Sequence, residues 1–71
     1  MIGKRIAQLR KRAGLTQQEL GTAAGLHGQT ISDLERGVNT PVLTTLVAIA
    51  QGLGVPLAEL VDEPESEAAA R

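Results

Sequence analysis

Glycine and proline residues cut the first 61 positions of the chain into five short segments, and each segment carries the spacing of a helix. In the first segment, Ile2, Ile6, Leu9 and Ala13 recur at intervals of four, three and four residues, which places them on one helical face. No stretch alternates between apolar and polar residues as a half-buried strand does. The sequence therefore predicts an all-α domain with short connections.

The predicted helices end at glycines that can adopt a left-handed backbone conformation, and most begin at a cap. His27 is the predicted cap of the third helix. Thr40 is the predicted cap of the fourth, with Pro41 at its first helical position, where the missing amide hydrogen costs nothing. Pro56 begins the fifth. The predicted ends are Gly14, Gly25, Gly37 and, for the fourth helix, Gly52 or Gly54.

The second segment has the strongest start signal. Thr16 and Glu19 are spaced as a capping box, in which the Thr16 hydroxyl accepts from the Glu19 amide and the Glu19 carboxylate accepts from the Thr16 amide. Leu15 before the cap and Leu20 within the helix form the matching hydrophobic staple. We therefore expect a helix from residue 17 that stops after Ala24.

Neither an aromatic residue nor a cysteine occurs in the 71-residue chain. The core must consist of Leu, Ile, Val and Ala, and a core of this size is marginally stable on its own. The lack of cysteine excludes disulfides, thiolate metal sites and a cysteine nucleophile. No apolar run is long enough to span a bilayer, and no signal-peptide core follows Met1, so we expect a soluble intracellular protein.

Charge is divided unevenly along the chain. Residues 1–37 carry six basic and three acidic side chains, whereas residues 38–71 carry one basic and five acidic ones. Four of those acids lie in the last ten residues beside Pro64, Ser66 and a run of alanines. We therefore predict one domain over residues 1–61 and an acidic, flexible tail over residues 62–71.

The join between the second and third helices has the spacing of a helix-turn-helix. In this motif the first helix crosses the DNA backbone and the second enters the major groove. Gly25 can take positive φ in the turn, and Gly21 lets the third helix approach closely. The positions where the two helices must pack are apolar: Leu20, Ala24, Leu26, Ile31 and Leu34.

Residues 6–61 resemble the Cro/repressor-type, or XRE-type, helix-turn-helix family of phage and bacterial transcription regulators. The resemblance is carried by residues 9–20, by residues 31–37, by Pro41 and by residues 53–55. It implies a compact five-helix, lambda-repressor-like domain that binds a pseudo-palindromic operator in double-stranded DNA as a homodimer. It also implies that the protein represses transcription, has no enzymatic activity and needs no cofactor. The expected location is the bacterial cytoplasm, with the gene carried by a bacterium or a phage.

The resemblance assigns roles to individual residues. Gln17 matches a position that binds a phosphate, and Gln29, Thr30 and Asp33 match positions of the recognition helix that reach bases or the adjoining backbone. Arg10 and Glu35 match a structural pair between the first and third helices. The full set of candidate DNA-contacting residues is Gln17, Gln18, His27, Gly28, Gln29, Thr30, Ser32, Asp33, Arg36, Asn39 and Thr40.

Two of these positions depart from the family pattern. Gly28 has no side chain where longer polar or basic ones are usual. Asp33 is acidic, so it repels phosphate, and it either accepts from a cytosine amino group or excludes wrong sequences. We expect modest affinity per protomer, because the recognition helix has Arg36 as its one basic residue.

Near the end of the domain, Val55, Leu57 and Val61 are either ordinary core residues or an exposed apolar patch that forms the two-fold interface. A further open alternative is that the acidic tail folds back on the basic face and weakens non-specific binding.

The histidine, serine and acidic residues of this chain do not form a catalytic or a metal-binding site. His27 and Asp33 are separated by about 9 Å along a helix, too far for the hydrogen bond of a catalytic triad. One histidine and scattered acids do not make a metal site.

The alternative to DNA binding is a protein-interaction module that keeps the fold and binds a toxin or a second regulator. The features that support this alternative are the pI near 5.7, Gly28, Asp33 and the acidic tail.

Overall fold

The computed structural model describes residues 2–61, which form five α-helices. The helices are α1 (Ile2–Arg12), α2 (Gln17–Ala24), α3 (Gly28–Arg36), α4 (Leu43–Leu53) and α5 (Leu57–Val61). The described residues contain no strand, and the predicted all-α class is confirmed. The predicted acidic tail, residues 62–71, lies outside the described residues. None of the five helices is long and apolar enough to cross a membrane.

The capping box at the start of α2 forms as predicted. The Glu19 amide donates to Thr16 Oγ1 at 3.0 Å, and the Thr16 amide donates to Glu19 Oε1 at 2.9 Å. At the other end of α2, Gly25 has φ 75° and its amide bonds back to the carbonyl groups of the last helical turn. These local signals fix both ends of α2 and the turn that follows.

The predicted start of α4 is wrong. Thr40 and Pro41 remain outside the helix, which begins at Leu43 after an N-cap at Val42 with no side-chain cap bond. A residue before proline is held in extended backbone, and here the extended stretch continues through Val42. Thr40 and Pro41 line a small cavity beside α1 and the end of α3, so packing prevails over the weak capping preference. Of the two glycines predicted to end α4, Gly52 and Gly54, it is Gly54 that forms the C-cap.

The buried core is aliphatic, as the composition requires, and every helix contributes to it. α2 packs against both α3 and α4, and α1 packs against α3 and α5. Because α2 lies between α3 and α4, its contacts orient both of these helices. The buried residues are Ile6, Leu9, Leu20, Ile31, Leu34, Ile49, Ala50 and Leu60.

Gly21 permits the close contact between α2 and the start of α3. A Cβ atom at this position would lie 2.7 Å from the carbonyl oxygen of Leu26 and 3.0 Å from the amide nitrogen of Gly28. Both neighbours are backbone atoms, which cannot move aside as the end of a side chain can. Gly3 on α1 is similarly pressed against the carbonyl groups at Leu34 and Glu35 in α3.

A nearly buried ion pair joins α1 to α3. Arg10 Nε donates to Glu35 Oε2 at 2.6 Å, and Arg10 Nη2 donates to Glu35 Oε1 at 3.2 Å. A third donor, Arg10 Nη1, binds the carbonyl oxygen of Leu15 at 2.8 Å. The side chains of Arg10 and Glu35 are only 12% and 8% exposed, so each charge depends on the other for compensation.

We predict that Gly21→Ala destabilises the domain despite the higher helix propensity of alanine. The new methyl group forces α2 and α3 apart, and such overpacking costs about 1–3 kcal/mol. In a domain of this size, that corresponds to a fall in melting temperature of roughly 5–20 °C. Far-UV circular dichroism measures it, since the chain has no aromatic reporter. Thr22→Ala, at the exposed neighbouring position of α2, is the control, and an equally stable Gly21→Ala would contradict the packing described here.

We predict that Arg10→Met lowers the free energy of unfolding by about 3 kcal/mol, because it leaves the Glu35 carboxylate uncompensated and nearly buried. Arg36→Met is the matched control. Arg36 also pairs with an acid of α3, but its side chain is 61% exposed, and the loss of a solvent-exposed pair changes stability far less than the loss of a buried one. Urea unfolding followed by circular dichroism compares the two, and equal losses would show that burial of the Arg10 pair is unimportant.

Candidate nucleic-acid interface

An open cleft lies between the start of α2 and the first turns of α3. Its volume is about 500 Å³, and every residue that lines it is polar or glycine. All of them belong to the set for which the sequence predicts DNA contact. The lining residues are Gln17, Gln18, His27, Gly28, Gln29 and Ser32.

The start of α3 borders the cleft without a capping side chain. His27 occupies the N-cap position with extended backbone, and within the described residues its side chain makes no cap hydrogen bond. The first amides of a helix have no partner inside the helix, and the helix dipole adds partial positive charge there. This end of α3 therefore favours an anionic group such as a phosphate.

Gln17 connects the cleft to the ion pair beneath it. Its Nε2 donates to Glu35 Oε1 at 3.0 Å, the same oxygen that accepts from Arg10 Nη2. Gln17 is half-buried and retains one N–H for a further acceptor. One residue of the cleft lining is therefore tied into a hydrogen-bonded network that involves α1, α2 and α3.

Gly28 faces α2, and this explains why it lacks a side chain. A Cβ atom here would lie 3.1 Å from Gln18 Cα and 3.4 Å from Gln18 Cβ. A larger residue would require the two helices to separate by a few tenths of an ångström. The sequence predicts Gly28 as a DNA-contacting position that departs from the family pattern, and the nearby Gly21 already indicates close packing at this point.

Three polar side chains form a chain of contacts along α3. Gln29 Nε2 donates to Asp33 Oδ1 at 2.9 Å, and Arg36 Nη2 donates to the same oxygen at 2.6 Å. The hydrogen bond from Gln29, followed by that from Arg36, holds the pKa of the Asp33 carboxyl below its usual 3.8. Asp33 is thus ionised at neutral pH and already has two donors. The sequence does not show which of the neighbours three or four residues before and after it Asp33 engages.

The remaining candidates lie around this arrangement. Thr30 is half-buried, and Asn39 and Thr40 are exposed in the loop before α4. Asn39 and Thr40 line the separate cavity of about 180 Å³ near Ile2 and Gly3, so the structure does not bring them into the cleft. In residues 2–61, no three His, Asp or Glu side chains come together to hold a metal ion.

The candidate dimer residues differ in exposure. Val55 and Leu57 are half-buried and pack against the core, whereas Val61 at the end of α5 is 54% exposed. Sequence reasoning missed the most exposed large apolar side chains among residues 2–61, Val42 and Leu43, each 63% exposed at the start of α4.

Comparison with known proteins identifies the fold's relatives. The helix-turn-helix family profile matches residues 6–60. An uncharacterised helix-turn-helix transcriptional regulator of Sinorhizobium fredii, y4dJ, is 44% identical over 61 residues, which are 86% of this chain and 79% of that protein. The immunity repressor of Bacillus phage phi105 is 39% identical over 62 residues, which are 87% of this chain but 43% of the repressor.

Solved structures give the same result. SinR, the master regulator for biofilm formation, has been solved in complex with DNA. That structure matches with a TM-score of 0.81 at 35% identity, and the match covers 87% of this chain and 100% of the SinR chain. SinR has also been solved with the protein SinI, and that structure matches with a TM-score of 0.80 at 32% identity, over 100% of this chain and 76% of that one.

The family profile covers most of the chain, and the helix-turn-helix geometry that it requires is formed by α2, Gly25 and α3. The chain therefore belongs to the helix-turn-helix family of Cro/repressor type, whose members are DNA-binding transcriptional regulators rather than enzymes.

Proposed function

We propose that this protein binds a pseudo-palindromic operator in double-stranded DNA as a homodimer and represses transcription. The observation that carries the proposal is the cleft, in which six polar or glycine residues from the two helices of the motif lie on one open surface. The relatives of this chain also support the proposal, because they include a phage immunity repressor and a regulator solved with DNA.

In the proposed complex, α3 enters the major groove and α2 lies across the DNA backbone. Gln29 is exposed in the first turn of α3, and its amide has the donor and acceptor that an adenine edge requires. The uncapped start of α3 and the remaining N–H of Gln17 serve as phosphate donors. Together these contacts fix the position of α3 before any base is read.

A homodimer follows from the small number of contacts that each copy supplies. The single cation of α3, Arg36, is paired with Asp33, so one copy has little charge on this helix for phosphate. Two copies related by a two-fold axis place two α3 helices about 34 Å apart, one turn of the DNA. Val61 provides exposed apolar surface for such an interface at the end of α5.

A second candidate function is a protein-interaction module that binds a toxin or a second regulator. The pairing of Arg36 favours it, because within residues 28–36 no cation is left without an acidic partner. SinR has been solved both with DNA and with a protein partner, so a domain of this shape is compatible with either. Selection for bound DNA separates the two functions.

We predict that selection from a random duplex pool yields a two-fold symmetric sequence, bound at least about a thousandfold better than random duplex. Gln29→Ala should then weaken the preference for adenine at one position of each half-site by about 1–3 kcal/mol. Titration of labelled DNA measures both effects. The control is Gln51→Ala, an exposed glutamine on α4, which should bind as the unaltered protein does.

Weak binding that vanishes as salt rises, with no enriched sequence, would favour the interaction module instead. Equal losses for Gln29→Ala and Gln51→Ala would show that α3 does not read this base.

We predict that Val61→Asp converts the dimer to a monomer at micromolar concentration, because the charge falls on an exposed apolar position of the proposed interface. The variant stays folded but loses the stabilisation that dimerisation supplies, so its melting temperature no longer rises with protein concentration. Sedimentation measures the mass. Leu57→Asp is a poorer test, since Leu57 packs against the core and its loss affects folding. Val38→Asp, at a valine that is 61% exposed after α3, is the matched control. A dimer that persists in Val61→Asp places the interface elsewhere.

A further inference from the structure

We infer that Asp33 sets sequence discrimination on α3 as a positioning residue, which orients the Gln29 side-chain amide and keeps the Arg36 charge from phosphate. The inference rests on the proposed binding of DNA by α3 and extends it, since it gives a defined role to a residue that itself contacts no base.

The spacing of the three residues places them on one side of α3. Gln29 lies four residues before Asp33, and Arg36 lies three residues after it, which are the intervals at which helical side chains meet. Both donors bind the same carboxylate oxygen, Oδ1, at 2.9 Å and 2.6 Å. A carboxylate accepts from the NH₂ end of an amide and repels its carbonyl oxygen. The contact therefore fixes which end of the Gln29 amide faces Asp33.

A fixed amide favours adenine over guanine. The major-groove edge of adenine offers an acceptor and a donor, whereas the edge of guanine offers two acceptors. The Gln29 amide has two N–H groups, so Asp33 can take one while the other N–H and Oε1 remain for adenine. If the amide rotated freely, it could turn its NH₂ group toward guanine. Asp33 opposes that rotation and also orders the side chain before DNA arrives.

Asp33 also controls the sequence-independent part of binding. An arginine that reaches phosphate strengthens binding to every duplex alike. Arg36 is 61% exposed, yet its Nη2 is bound to Asp33 Oδ1, and the pair has no net charge. Glu35, the other acid of α3, is neutralised by Arg10 below the cleft. Asp33 therefore leaves α3 with polar contacts that distinguish bases and with little general attraction to DNA.

A double-mutant cycle tests this role. The variants are Gln29→Ala, Asp33→Ala and the double variant, each titrated with labelled duplexes. The duplexes are the one selected by the unaltered protein, copies in which each A·T pair is replaced by G·C, and a random duplex. Asp33→Ala should lower the preference for A·T over G·C at the Gln29 position about tenfold and should raise affinity for random duplex severalfold. It should cause no further loss of preference when Gln29 is already alanine.

A conservative variant separates the two effects of Asp33. Asp33→Asn keeps an oxygen that accepts from Gln29 but removes the negative charge beside Arg36. It should retain part of the base preference while gaining affinity for random duplex. If the losses of base preference in Gln29→Ala and Asp33→Ala are additive, or if Asp33→Ala loses a preference for a C·G pair, then Asp33 reads a base directly. Either result would overturn the inference. Unchanged discrimination in Asp33→Ala would also overturn it.

A measurement on the free protein distinguishes failure of this inference from failure of the proposed function. Nuclear magnetic resonance of the Gln29 side-chain amide should show a signal that shifts in Asp33→Ala toward that of the exposed Gln51, and Gln29→Ala should raise the pKa of Asp33 toward 3.8. An amide signal unaffected by Asp33→Ala overturns the inference whatever the DNA result. An intact contact with no enriched duplex overturns the proposed function, and the role in discrimination with it. Unchanged melting temperatures show that the variants remain folded.

Discussion

The pairing of Arg10 with Glu35 is the interaction on which the binding surface depends. It joins α1 to α3, and through Gln17 it also holds the start of α2. Because both charges are nearly buried, neither residue can be replaced alone without leaving the other uncompensated. Replacing a buried ion pair by well-packed apolar residues is often neutral or stabilising, whereas a fully satisfied polar network restricts how its members are placed. The cleft above it is therefore formed before any ligand is bound.

The second constraint is the close approach of α2 to the start of α3, where the glycines at positions 21 and 28 leave no room for an unhindered Cβ atom. The positive φ at Gly25 turns the chain, and the two close approaches bring the start of α3 against α2. The aliphatic core, with one or more residues from each helix, then secures the pair from below. The motif is thus determined by backbone contact as much as by side-chain packing.

The sequence predicted the features that depend on neighbours along the chain. The capping box of Thr16 and Glu19, the glycine after each of the first four helices and the aliphatic core could all be recognised from local spacing. The start of α4 could not, because the extended stretch at Pro41 packs against α1, far away in sequence. The exposure of Val42 and Leu43 was missed for the same reason. At the candidate site, family resemblance indicated which residues line the cleft, but the partners of Gln17 and Asp33 depend on side-chain directions that spacing alone does not determine.

The contact between Gly28 and Gln18 has a consequence for how the specificity of such a protein could diverge. A position in the first turn of a recognition helix is an obvious place for a mutation that changes the preferred DNA sequence. Here a side chain at position 28 would first have to displace Gln18 of α2 by a few tenths of an ångström, since its Cβ atom would lie 3.1 Å from Gln18 Cα. Positions 29 and 33 are open to substitution without such a shift, but their side chains contact each other. Changes there are coupled, so descendants of this sequence should acquire new targets by paired rather than single substitutions.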